Sequence, residues 1–137
     1  MASFMYTSGI ADAFKGNVDY DTDTIKVVLL TSAYTPAKTH KKRSDLTNEV
    51  TGTGYTAGGA TATITVTQDD ANSRVDMSLG SASWPSSTIT ARYAAYYKSR
   101  GGAATADELI AINDFGSDIT SSGATFSLPA STARIQN

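Results

Sequence analysis

The sequence predicts a mainly β protein, an antiparallel β-sandwich or small jelly-roll-like barrel with one short N-terminal α-helix. Three observations lead there. Threonine, serine, alanine and glycine fill 67 of the 137 positions; the branched Cβ of threonine favours strands, while glycine and serine favour tight turns. Short runs of alternating apolar and polar residues recur through the second half of the chain. Only one segment, near the N-terminus, spaces its apolar residues as a helix would.

That segment is Phe4 to Lys15, where Tyr6, Ile10, Ala13 and Phe14 fall at i, i+4, i+7 and i+8 and Gly16 supplies the stop. Asn17 to Asp23 is a polar link. Thr24 to Thr31 is the most apolar run, rich in branched residues, and reads as a central strand buried on both faces. From 33 to 60 the pattern fails: Pro36, the basic cluster Lys38-Thr39-His40-Lys41-Lys42-Arg43 and the glycine-rich Thr51 to Gly59 follow one another. Connections longer than about 12–15 residues are usually functional or ordered only on binding, so this stretch is expected to be a contact arm, with a short ordered turn at Asp45 to Val50.

Beyond it, Thr63 to Thr67 and Arg74 to Leu79 alternate around Asp69-Asp70-Ala71-Asn72, which is a hairpin signature. Ile89 to Lys98 is expected to put Ile89, Ala91, Tyr93, Ala95 and Tyr97 on the core face, leaving Tyr96 beside Arg92 on the other. Leu109 to Ile112 returns after Arg100 to Ala104, and short strands at Ala124 to Leu128 and Ala133 to Gln136 complete a single domain spanning 1–137.

Composition narrows the function. A chain of 14.3 kDa is one domain's worth and can bury a core without staples. With no cysteine, disulfide frameworks, thiolate metal sites and cysteine nucleophiles are excluded together. Eleven Lys and Arg against 13 Asp and Glu, a net charge of -2, argue against a nucleic-acid binder, whose affinity comes largely from neutralising phosphates. No run approaches the roughly 20 apolar residues of a membrane span, and the N-terminus lacks a basic segment followed by an apolar one. The expectation is a soluble, unprocessed protein made in the cytoplasm.

No constellation for catalysis emerges, and neither a cofactor nor a metal is expected. Asp19, Asp21 and Asp23 begin like a calcium loop, but its glycine and bidentate glutamate positions hold Thr24 and Leu30. His40 is the single histidine and lies in a basic stretch that reads as surface or interface. No Gly-x-Ser-x-Gly is present, and no Gly-Lys-Thr/Ser follows Gly52-Thr53-Gly54. Asp69-Asp70 and Asp107-Glu108 flank strands as ordinary solvated turn residues do.

The order of motifs resembles a family of small tailed-bacteriophage structural proteins over nearly the whole chain. The resemblance is carried by Tyr6 and Phe14, then Asp23-Thr24-Ile25-Lys26-Val27-Val28-Leu29-Leu30-Thr31, Tyr34-Thr35-Pro36 and His40. It continues through Asp45-Leu46, Val50-Thr51-Gly52-Thr53-Gly54-Tyr55, Ala91-Arg92-Tyr93-Ala94, Glu108-Leu109-Ile110-Ala111 and Asp114-Phe115-Gly116-Ser117-Asp118. It implies a non-enzymatic assembly part of the virion, and it transfers no catalytic residue.

The leading expectation is therefore a capsid decoration or cement protein, made in a bacterial host and located in the virion. It would bind the major capsid protein lattice or other virion proteins and self-associate, without nucleic acid or membrane. Repeated lattice sites raise the effective concentration of each arm, and symmetric association is the usual form of oligomer. Lys41, Lys42 and Arg43 are expected to meet acidic neighbours, Tyr55 and its glycines to form an adaptable contact, and Tyr96 to lie under a partner. Two alternatives stand beside this: a neck, tail-adaptor or tail-tip protein, and a carbohydrate-binding module using Trp84 and Tyr96.

Overall fold

Ile25–Leu30 (β2) is buried along almost its whole length, because it lies inside a sheet covered on both sides. The computed structural model describes residues 3–137. Phe4–Met5 (β1), Thr7–Lys15 (α1), β2, Ala60–Thr61 (β3), Ile64–Asp69 (β4), Arg74–Leu79 (β5), Ala82–Lys98 (β6), Leu109–Leu128 (β7) and Ser131–Gln136 (β8) follow in order. They form two antiparallel sheets, β1-β7-β6-β2-β3 and β4-β5-β8. The result is a β-sandwich whose sheets do not close into a barrel.

The expected hairpin is β4 and β5, paired from Ile64↔Leu79 to Asp69↔Arg74. The second hairpin is longer than the sequence indicated. β6 and β7 run 17 and 20 residues, and the expected separate strand at Ala124 to Leu128 is the far end of β7. Bulges let so long a ribbon bend. Ala91 faces Ile119 but Tyr93 faces Asp114, so Arg92 stands opposite the extra residues Phe115 to Asp118. Gly116 turns there with φ 81, a value open to glycine. A bulge shifts side chains to the opposite face. Ile89 and Ala91 consequently join one core, while Tyr93, Ala95 and Tyr97 join another, which corrects the expectation that all five share a face.

The first core lies between the sheets and gathers Val27, Leu29, Ile64, Met77, Tyr96 and Ile110 with their neighbours. The second lies on the other side of the large sheet, where Tyr6, Val28, Leu30, Tyr34, Tyr93 and Tyr97 pack together. Burying each such aliphatic side chain stabilises the fold by roughly 1.5–3 kcal/mol.

The helix begins later than the spacing indicated, since Phe4–Met5 pairs instead with Ile112 and Ala111 of β7. Gly16 ends it in the left-handed conformation, donating to Ala13. Phe14, placed on its inner face by spacing, is 79% exposed. The face that packs is the one through Gly9, where an added Cβ would lie 2.8 Å from the carbonyl oxygens of Leu109 and Ile110. The helix approaches the sheet backbone too closely for a side chain there.

Candidate functional site

The 33–60 segment covers both cores: Tyr34 and Leu46 pack with the second, and Val50, Tyr55 and Ala60 with the first. It begins with Tyr34, 2% exposed, whose hydroxyl bonds Tyr6 at 3.1 Å and His40 Nδ1 at 2.7 Å. Burial above all pushes the Tyr6 and Tyr34 phenols up from their ordinary value, so both hydroxyls keep their protons while holding the basic stretch in place. Further along, Val50 N donates to Leu29 O and Thr31 N to Asn48 O, joining the segment to the end of β2.

Arg43 is part of this fastening. Its Nε donates to Asp107 Oδ2 at 2.8 Å, the carboxylate being 1% exposed, and its guanidinium stacks 5.1 Å over the Tyr97 ring. Its planar head is therefore engaged on both its edge and its face. Asp107 Oδ1 accepts from Arg100 N, and Arg100 forks onto Glu108 at 2.6 and 2.7 Å. The Arg100 hydrogen bond holds the Glu108 carboxyl below the usual range. Asp107 and Glu108, which read as solvated turn residues, are instead buried anchors.

Tyr55 is also internal. Its hydroxyl donates to Glu49 Oε2 at 2.6 Å and accepts from Leu29 N at 3.1 Å, while its ring lies 5.9 Å from Trp84. The glycines around it permit close approach to the sheet. Gly59, at φ 78, lies so near the Val27 carbonyl that no Cβ fits, and Gly58 O accepts from Tyr97 Oη at 2.7 Å. The expected adaptable contact is thus a fixed loop.

Tyr96 is fully buried in the core between the sheets, not waiting on a surface for a partner. Alternation placed it opposite Tyr93 and Tyr97 correctly, but the small sheet covers that face too. Trp84 is 5% exposed and packs edge-on against Phe126 at 6.0 Å. With both rings buried, the platform that a carbohydrate-binding module would use is not formed.

Lys41 and Lys42 remain available, and the structure brings them to a site the sequence did not outline. One face of α1, carrying Thr7, Ala11 and Lys15, stands opposite Lys38, Lys41 and Lys42 across a cleft of about 410 Å³. Ser8 Oγ donates to His40 O at 3.3 Å and Thr7 N to Lys38 O at 3.2 Å, so helix and segment are bolted together below it. Asp45 Oδ2 accepts from Lys41 N and Lys42 N at 2.8 and 3.0 Å. Those backbone bonds fix the turn and hold the Asp45 carboxyl below its ordinary value.

Charge is sorted in a consistent way. Arg43, Arg74, Arg92, Arg100 and Arg134 all form ion pairs, and Lys98 pairs with Asp23. Among the described residues, Lys15, Lys26, Lys38, Lys41 and Lys42 form none; Lys26 lies apart in β2, and the other four line this one cleft with Asp12 as its single carboxylate. Lys15 is the member that sequence reading missed; its spacing of four and eight from Ala11 and Thr7 was the available signal. Asp19 and Asp23 of the acidic link serve each other, Asp19 N donating to Asp23 Oδ2 at 2.8 Å.

No family model, no curated protein and no solved structure matches the chain.

Proposed function

We propose that this protein is a structural component of a tailed-bacteriophage virion, a capsid decoration protein that seats its lysine cleft on an acidic face of the major capsid protein lattice. The observation that carries the reading is the gathering of four of the five lysines that form no ion pair among the described residues in one cleft, against the single carboxylate of Asp12, in a chain of net charge -2. A cation cluster in which four lysines outnumber one carboxylate is a partner surface for negative charge. The motif order that resembles small phage structural proteins supplies the setting. Lattice binding suits the rest of the molecule, because a rigid β-sandwich loses little conformational entropy on docking, and repeated sites multiply modest individual contacts.

Lysines favour acidic protein over nucleic acid here. They present point charges without the bidentate fork of arginine, and four cations neutralise few phosphates. The role is assembly, with no reaction assigned to any residue.

Copy number tests this directly. Quantitative mass spectrometry of purified virions should find the protein in hundreds of copies, comparable with the major capsid protein, with immunogold label spread over the head. A dozen or so copies at one vertex or along the tail would replace decoration with a neck or tail role, and absence from particles would end the virion reading.

A further inference from the structure

We infer that two copies of this chain associate by antiparallel pairing of β4 with β4 of the second copy across a twofold axis at Val66, joining the two small sheets into one of six strands. The inference does not rest on the virion reading.

It begins with sheet edges. An open edge strand is a template for another strand, and proteins ordinarily blunt such edges by keeping them short, charging them or bulging them. β1 and β3, which end the large sheet, have two residues each. β1 covers only Ala111 and Ile112 of β7, whose outer edge beyond them carries Asp114 and Asp118, turns at Gly116 and Gly123 with positive φ, and is bulged against β6. β8, on one side of the small sheet, carries Arg134. β4, on the other side, is six residues long, pairs without interruption to β5, and has no charge from Ile64 to Gln68. It has no proline, and its branched residues favour extended pairing.

The small sheet also projects beyond its cover. Along the row Val66, Met77, Ala133 and the next row Gln68, Val75, Ile135, Val66 is 38%, Val75 36% and Ile135 46% exposed. These are three of the five large apolar side chains exposed among the described residues. The opposite face is made hydrophilic by Arg74 between Asp69 and Asp76, and by Arg134 on Asp76. An uncovered inner face beside an unprotected edge calls for an occupant that extends the sheet.

The strand's own side chains identify that occupant as a second copy. Thr65-Val66-Thr67 reads the same in both directions. In antiparallel pairing, directly opposed residues share a face, so a twofold axis normal to the sheet must pass through one residue position. With the axis at Val66, Val66 opposes Val66 of the second copy on the inner face, Thr65 opposes Thr67 on the outer face, and Ile64 opposes Gln68. Branched apolar and threonine pairs are favourable cross-strand neighbours, and no like charges meet. An interface of this kind uses one patch twice, the usual form for a homodimer. β8 paired with itself about Arg134 would instead oppose two Arg134 side chains, and about Ala133 would leave them diagonal neighbours on one face.

The test uses the full chain, which has no cysteine to interfere. Light scattering should give twice the 14.3 kDa chain mass, and a wild-type monomer at micromolar concentration overturns the proposal. Val66→Cys should cross-link to a disulfide dimer under mild oxidation, because opposed strand residues lie within the roughly 4.4–6.8 Å Cα separation a disulfide needs. Ile119→Cys, exposed elsewhere, should not. Val66→Lys should be a folded monomer by circular dichroism, and mixing it with Val66→Glu should restore the dimer. Should Val66→Lys fail to fold, Thr65→Lys/Thr67→Lys, on exposed outer positions, replaces it. A dimer that survives these lysines, or fails to cross-link at 66, overturns the assignment.

Discussion

Arg43 and Asp107 lie 64 positions apart, and their side chains meet at 2.8 Å with the carboxylate almost wholly enclosed. The pair ties the covering segment to the β6–β7 connection. Removing one partner of such a pair leaves a buried charge uncompensated, which costs more than the intact pair contributes. Arg43→Ala should therefore destabilise the protein by roughly 2–4 kcal/mol, read by chemical denaturation. Arg43→Lys should recover only part of that, since it keeps the charge and loses the flat stack on Tyr97.

Tyr55→Phe keeps the ring on Trp84 and removes the hydroxyl shared by Glu49 and Leu29. The loss should be about 1–3 kcal/mol. Hydrogen exchange locates it: the Leu29 amide should exchange faster, whereas Ile64 and Leu79 in the other sheet should hardly change.

Gly59→Ala should prevent folding or cost more than about 3 kcal/mol, because its Cβ would run into the Val27 carbonyl in a left-handed backbone. Gly101→Ala is the control. Gly101 has φ +79 but nothing within 4 Å of an added Cβ, so only the backbone cost of about 1 kcal/mol remains. Thermal melts of the two variants separate collision from conformation.

Acid should weaken the fold. Burial works against the Asp114 charge, but the hydrogen bonds of Arg92 and of the Gly116 amide prevail and bring its pKa down to about 2. A carboxyl held below its unfolded value stabilises the native state above that value and loses the effect as pH falls through the folded one. The stabilisation is complete near neutrality and disappears between about pH 4 and pH 2. Asp45 and Glu108 shift in the same direction. Melting temperature should fall across this window in the wild type, and Asp114→Asn should start lower and fall less steeply.

Lys38→Gln/Lys41→Gln/Lys42→Gln should lower the melting temperature only slightly, because these side chains form no ion pair within the described residues and lose only the Lys38 contact over the Phe4 ring at 5.8 Å and the attraction of Lys41 to Asp45 and of Lys42 to Glu108. Binding to capsids should drop at least roughly tenfold, the equivalent of about 1.4 kcal/mol, and should lose its dependence on salt. Unchanged binding would remove the cleft from the interface. Arg43 does not belong in this set, since altering it also loosens the fold.

Regular elements were legible where period and burial agree. β2 was visible as a branched apolar run, β4 and β5 as alternation around a polar turn, and Gly16 as a stop. Tyr96 was misplaced because alternation distinguishes two faces but does not say whether the second is covered. The bulge at Arg92 was invisible because Tyr93 and Tyr97 keep an unbroken alternation with Ile89 and Ala91 in the sequence. The covering segment holds its apolar anchors, Tyr34, Val50 and Tyr55, at irregular intervals, so nothing periodic marks it as part of a core. The cleft depends on Lys15 meeting Lys38, a tertiary event that local spacing does not encode.

The pairing of β2 with β6 sets a timing problem during synthesis. Val27 to Leu30 lie against Tyr96 to Tyr93, so the most apolar strand leaves the ribosome more than sixty residues ahead of its partner. At roughly 5–20 residues per second of synthesis the delay is on the order of several seconds. Throughout that interval the nascent chain carries an unpaired, sticky strand, shielded only by what precedes it and by whatever chaperone reaches it. The yield of soluble protein is thus set by events on the ribosome as well as by the stability of the finished sandwich.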